Sequence, residues 1–144
     1  MQIDIRLADS GDDAPICELI KNELGYQQLD ADKLCARLRR MEADDRHATA
    51  VAVVDGQVAG FIGLYRGIAY NCDGEYIQIL ALAVSERYRR KGVGSRLLRW
   101  AETYAAERGI NSFGVNSGVH RAGAHIFYER SGYVKKSYGF GKDI

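Results

Sequence analysis

The stretch "EYIQILALAVSERYRRKGVGSRLLRW", residues 75–100, decides how this chain of 144 residues folds. Its first ten residues are almost wholly apolar, which suits a central strand covered on both faces. From Val93 the apolar positions Leu97, Leu98, Ala101, Tyr104 and Ala105 recur at helical spacing, and Gly109 ends the run. Between strand and helix lies a turn holding Gly92 and Gly94 amid Arg87, Arg89, Arg90, Lys91, Arg96 and Arg99. The next extended run, "INSFGVN" at 110–116, is then a strand parallel to the first, because a crossover helix joins them.

Upstream, "IDIRL" at 3–7 alternates as a half-buried strand does. Asp13 is placed as a helix N-cap, with Pro15 in the first turn, where a missing N–H costs nothing. Ile16, Leu19, Ile20 and Leu24 carry that helix to Gly25, and a second helix starts from Asp30 with Leu34, Leu38 and Met41 as its stripe. "TAVAVVDGQVAGFIGLY" at 49–65 is two strand-like runs about Asp55-Gly56, a strong hairpin signal. Downstream, a last helix spans Ala122 to Arg130 with Gly132 as its stop, and Tyr138 to Lys142 reads as a final edge strand. The expectation is one α/β domain over 1–144. Its mixed sheet has an antiparallel N-terminal arm, a parallel pair around the crossover helix and about four flanking helices.

Composition bounds the function. The chain is 47% hydrophobic and 27% charged with a net charge of +1, so the basic run is a local concentration. A nucleic-acid-binding domain usually shows a broader excess, and no nucleic-acid partner is expected. Cys17, Cys35 and Cys72 show no paired spacing and read as free thiols of a reducing cytoplasm. No His and carboxylate set has metal-ligand spacing, and no apolar run reaches membrane length, so neither a metal nor a membrane partner is expected.

The glycine turn sits where open α/β sheets bind ligands, beyond the carboxyl end of a central strand. A helix start leaves backbone N–H groups without partners, and Gly92 and Gly94 remove side chains that would hold an anion off them. The spacing is not that of a P-loop, and a dinucleotide fingerprint would need a third glycine where Leu97 stands. Taken alone, the turn fits a phosphate cradle or a solvated basic helix start equally well.

Two motifs in the C-terminal half favour the cradle. "LAVSERYRRKGVGSRLL" at 82–98 resembles the acetyl-CoA signature of the GNAT N-acetyltransferase superfamily, with Arg89, Gly92 and Gly94 at its defining positions. "AHIFYERSGY" at 124–133 is similar to that family's aromatic last helix, and "SGVHRAGAHIFYERSGY" at 117–133 is similar to small members acting on aminoglycosides or aminoalkylphosphonates. The resemblance covers about residues 50–140 and implies acetyl-CoA as co-substrate. Leu82, Ala83 and Val84 would pair with the pantetheine arm, and Arg89, Arg90, Lys91, Gly92, Val93, Gly94 and Ser95 would hold the pyrophosphate. Asn116 and Arg121 would contact the coenzyme, and Tyr128 would meet the departing thiolate. The family often places a Glu base on the central strand, but Ala81 stands there. Glu75, and after it Asp73, then become the candidate bases, acting directly or through water. The implied acceptor is a primary amine, and tyrosines with Asp30, Asp32, Asp73 and Glu75 near the entrance point to a small cationic one. The alternatives are a peptide or protein amine, a non-catalytic acyl-CoA sensor, and a nucleic-acid module using the basic run. A terminal edge strand would also suit a homodimer.

Overall fold

Asp55 (φ 51°) and Gly56 (φ 77°) both adopt left-handed backbone, the geometry of a two-residue hairpin turn. They join β2 (His47–Val54) to β3 (Gln57–Ile68), with Val54 opposite Gln57. β1 (Asp4–Leu7) lies antiparallel on β2, and β4 (Glu75–Val84) lies antiparallel on β3. β5 (Phe113–Val115) follows β4 as the parallel member, reached through α3 (Val93–Ala106), so the sheet order is β1-β2-β3-β4-β5. The helices α1 (Asp13–Glu23), α2 (Ala31–Glu42) and α4 (Ala122–Arg130) complete the α/β architecture.

The computed structural model describes residues 1–144, which divide into two compact units, Met1–Gly114 and Val115–Ile144. In the first unit one face of the sheet packs Val51, Phe61 and Ala83 against Ile16 and Leu19 of α1. The other face receives α3. A Cβ on Gly60 would lie 2.8 Å from the Ala83 carbonyl oxygen and 3.3 Å from Val93 and Leu97 side-chain atoms. A bare α-carbon there therefore lets the first turn of α3 close onto the sheet. Full burial of Val93, Leu97, Leu98, Ala101 and Ala105 fixes the helix on that face. No helix is long and apolar enough to cross a membrane.

Three local expectations change. The first helix is not capped by Asp13: Asp9 accepts from Gly11 N–H, and Asp12 returns a bond to the Asp9 N–H, forming a capping box around a 3-10 turn over Ser10–Asp12. Asp13 is instead the first residue of α1 and pairs with Arg39 of α2 at 2.7 Å. The strand expected over 110–116 shortens to Phe113–Val115. No strand forms over Tyr138–Lys142; Tyr138 and Phe140 are exposed there, Gly139 and Gly141 favour no extended state, and the second unit's regular element is α4.

Asp12 is the buried charged residue of the first unit, 4% exposed. The Arg6 guanidinium grips both its oxygens, at 2.7 and 2.9 Å, and tethers the end of β1 to the start of α1. That hydrogen bond, helped by the Asp9 N–H and opposed by burial, holds the Asp12 carboxyl below the usual carboxylate range. A depressed folded-state pKa gives stabilisation that is complete above the unfolded value near pH ~4 and is lost as pH falls through the folded value. Asp12→Asn is expected to cost about 1–3 kcal/mol at neutral pH, because Arg6 remains half exposed and rehydrates. Denaturant unfolding should show that deficit at pH 7 and a much smaller one near pH 2. An equal deficit at both values would contradict the ion pair.

Candidate active site

β4 ends at Val84, and Ser85 donates its N–H to the Ala59 carbonyl at 2.8 Å, the last rung toward β3. In an antiparallel ladder alternate residues face alternate neighbours. Ala83, opposite Phe61, therefore shares the β3 side with Ser85, and Leu82 and Val84 aim their peptide groups at the other edge. β5 comes alongside much earlier: Ile77 donates its N–H to the Ser112 carbonyl at 2.8 Å, and a Cβ on Gly114 would lie 2.9 Å from Gln78 Oε1. The ladder to β3 also slips between Gly63 opposite Ala81 and Leu64 opposite Ile79, leaving Leu80 as an extra residue. Leu80 is 51% exposed, so the strand is not covered along its whole length as its apolar sequence suggests.

After β4 the chain makes a short 3-10 turn over Glu86–Tyr88, then enters the glycine turn. Arg89 is extended, Arg90 is left-handed (φ 62°), and Gly92 is left-handed (φ 84°). Glycine adopts that region freely, but an arginine there costs about 1–2 kcal/mol. Such a conformation persists only where the surroundings over-determine it.

The start of α3 is the chemical feature of this turn. Gly92 occupies the N-cap position and supplies no side-chain oxygen, and no acidic residue lies in the first turn. The first helical bond runs from Arg96 N–H to the Gly92 carbonyl at 3.0 Å. The amides of Val93, Gly94 and Ser95 therefore have no acceptor inside the helix, and the helix dipole adds positive potential where they point. Arg89, Arg90 and Lys91 are exposed beside them. Three convergent amides with a basic rim are suited to an anion with several oxygens, such as a diphosphate.

One rim residue is already engaged. The Arg89 guanidinium pairs with the Glu23 carboxylate, whose other oxygen accepts from the Glu86 N–H at 3.1 Å. Glu23 ends α1, far from the turn in sequence, and no motif marks it.

The other expected site residues divide between the two units. Glu75 opens β4, roughly 23 Å along the strand from Leu82 at the usual rise per residue. Both its oxygens accept from the Arg66 guanidinium, at 3.1 and 3.2 Å, and Arg66 also reaches the Asp45 carbonyl. Asp30 is the N-cap of α2 and accepts from the Lys33 N–H at 3.0 Å. Neither Leu80 nor Ala81 carries an ionisable group.

Asn116, Arg121 and Tyr128 belong to the Val115–Ile144 unit. Tyr128 is its buried residue, 8% exposed, edge-on to Phe127 and Tyr133 with ring centroids 5.5 and 5.7 Å away. Burial raises its phenol pKa, against a smaller downward pull from the Arg121 charge, so the hydroxyl holds its proton at neutral pH. Arg121 takes the N-cap position of α4, and Asn116 is exposed. His125 Nε2 lies 2.9 Å from the Gly118 carbonyl and closes the loop before α4.

Comparison with known proteins agrees with the two motifs. Residues 14–133 match the Acetyltransferase (GNAT) family. An aminoalkylphosphonate N-acetyltransferase of Salmonella typhimurium is 34% identical over 131 residues, which is 91% of this chain and 82% of the relative. In fold, the chain matches a Bacillus halodurans protein described as a transcriptional regulator, with TM-score 0.92 at 21% identity over 99% of this chain and 100% of the other. It also matches an aminoglycoside N-acetyltransferase solved in complex with CoA, with TM-score 0.86 at 16% identity over 99% and 95% of the two chains. The extent of the sequence match, together with its relative at one-third identity, places this chain in the GNAT acetyltransferase family.

Proposed function

We propose that the chain is an acetyl-CoA-dependent N-acetyltransferase of a small primary amine, working by direct attack within a ternary complex. The observation that carries this reading is the start of α3, where the Val93, Gly94 and Ser95 amides lack both a helical acceptor and a side-chain cap. These donors and the rim of Arg90 and Lys91 fit the coenzyme's diphosphate. The outward peptide groups of Leu82 and Val84 fit the amides of its pantetheine arm, as an added strand would. Asn116 and Arg121 are proposed as further coenzyme contacts on the family resemblance alone.

When bound, acetyl-CoA supplies a thioester whose acetyl group passes to the amine nitrogen as the carbon–sulfur bond breaks and the amine loses a proton. On the family resemblance, Tyr128 is the group that answers the charge on the leaving sulfur. A phenol near pKa 10 is a weaker acid than a thiol near 8.5, so full proton transfer is uphill by about 2 kcal/mol in water, and burial of Tyr128 widens that gap. Its role is therefore to donate a strong hydrogen bond to the thiolate. The amine must be neutral to attack. For a lysine-like pKa near 10.4 that costs about 4.6 kcal/mol at pH 7. With no ionisable side chain at Leu80 or Ala81 and with Glu75 held by Arg66, the reading is that the amine's proton leaves to solvent before attack, and Asp73 is the alternative acceptor. The Salmonella relative's named activity supports a small acceptor. The cationic preference inferred from the entrance acids now rests on Asp32 and Asp73, since Asp30 and Glu75 have other partners.

Thiol release from acetyl-CoA, screened over aminoalkylphosphonates, aminoglycosides, polyamines and peptides, tests the activity. Release with at least one small amine is expected. A correctly folded protein that binds CoA but releases no thiol with any of them is an acyl-CoA sensor instead. With an active amine, kcat/KM should rise about tenfold per pH unit up to that amine's own pKa, and an amine of lower pKa should move the bend with it. Glu75→Gln should leave this profile in place, and a bend fixed near neutrality for every amine would reveal an enzyme base. Tyr128→Phe should lower turnover about a hundredfold and change CoA affinity less than about twofold. Unchanged turnover removes Tyr128 from the mechanism.

A further inference from the structure

The structure assigns Glu23 as a positioning residue that braces the glycine turn, with Arg89 as its strut rather than as a phosphate ligand; this rests on the coenzyme reading above. The Glu23 side chain is 13% exposed, and each of its oxygens meets a different part of one loop. Oε1 pairs with the Arg89 guanidinium and Oε2 accepts from the Glu86 N–H at 3.1 Å. These two points bracket the 3-10 turn immediately before the left-handed pair Arg90 and Gly92.

A non-glycine residue at φ 62° relaxes unless something holds it, and the chain's own turn bonds, Tyr88 N–H to Ser85 and a long one of 3.4 Å from Arg89 N–H to Glu86, fix only the segment before it. A charge-assisted bond from a side chain on α1 is the contact from outside the loop that fixes Arg89 itself. α1 is in turn held by the sheet through Ile16 and Leu19, so the brace transmits the rigidity of the core to the amides of Val93 to Ser95. The arrangement also explains the arginine at this motif position by geometry: its guanidinium faces α1. Because Glu23 is the last residue of α1, the brace ties the coenzyme turn to the end of that helix.

The test separates bracing from general stability by varying the donor. Glu23→Ala and Arg89→Ala are each expected to raise the Kd for CoA about tenfold, the scale of a misplaced donor set, and the double variant should lose little more than either alone. Glu23→Gln, which keeps an acceptor for the Glu86 N–H, should recover part of the loss. Turnover of acetyl-pantetheine, a donor without the diphosphate, should stay within about twofold of the parent in the Glu23 variants. Unchanged CoA affinity in Glu23→Ala overturns the brace, as does an equal fall with acetyl-CoA and acetyl-pantetheine, or losses that simply add. The parent protein's own binding of CoA reports separately on the coenzyme reading, which fails only if the parent does not bind.

Discussion

Three main-chain N–H groups at the start of α3 are the constraint around which the rest of the first unit is arranged. A helix cannot satisfy its own first amides, and most helices answer with a serine, threonine or aspartate cap. Here Gly92 gives none, and the absence of acidic residues in the first turn leaves the positive end of the dipole without a counter-charge. The feature is maintained by contacts elsewhere. Gly60 lets Val93 and Leu97 approach the sheet, and the register of β3 on β4 sets where the strand ends. Glu23 reaches across from α1 to hold the loop between.

The early end of the contact between β4 and β5 serves the same end. Toward β3 the ladder continues to Ser85, whereas the contact with β5 lies at Ile77 and Gln78. Extra Leu80 marks where the strand changes course, and an extra residue of this kind re-aims the peptide groups that follow. Chemically the same stretch is notable for what its side chains lack. Leu80, Ala81 and Leu82 have no group able to accept a proton.

What the sequence made legible was local or periodic. Asp55-Gly56 announced the hairpin because both residues tolerate positive φ. β4 was readable to the residue, Glu75–Val84, as a mostly apolar run, although Leu80 within it is exposed, and α3 because its stripe is long. The glycine turn was readable as a motif, and the two motifs together placed the chain in its family. Long-range and partner-dependent features were not legible. Glu23 meets Arg89 across 66 positions with no pattern linking them. Asp13 reads as the cap in sequence, whereas the capping box lies one turn earlier on Asp9 and Asp12, where Arg6 also pairs with Asp12 across the fold. The tail near Phe140 has strand-like residues, but they are exposed and no strand forms there. The pairing of Glu75 with Arg66 is likewise not legible, because nothing in the sequence shows that Arg66 faces it.

The most direct measurement is a titration of isotopically labelled protein with CoA, followed by amide nitrogen–proton correlation spectra. Docking of a diphosphate on the helix start predicts that the Val93, Gly94 and Ser95 cross-peaks move first and furthest, and that pantetheine alone leaves them in place. Saturable CoA binding with those three amides unmoved, or no binding by the folded protein, would contradict the account.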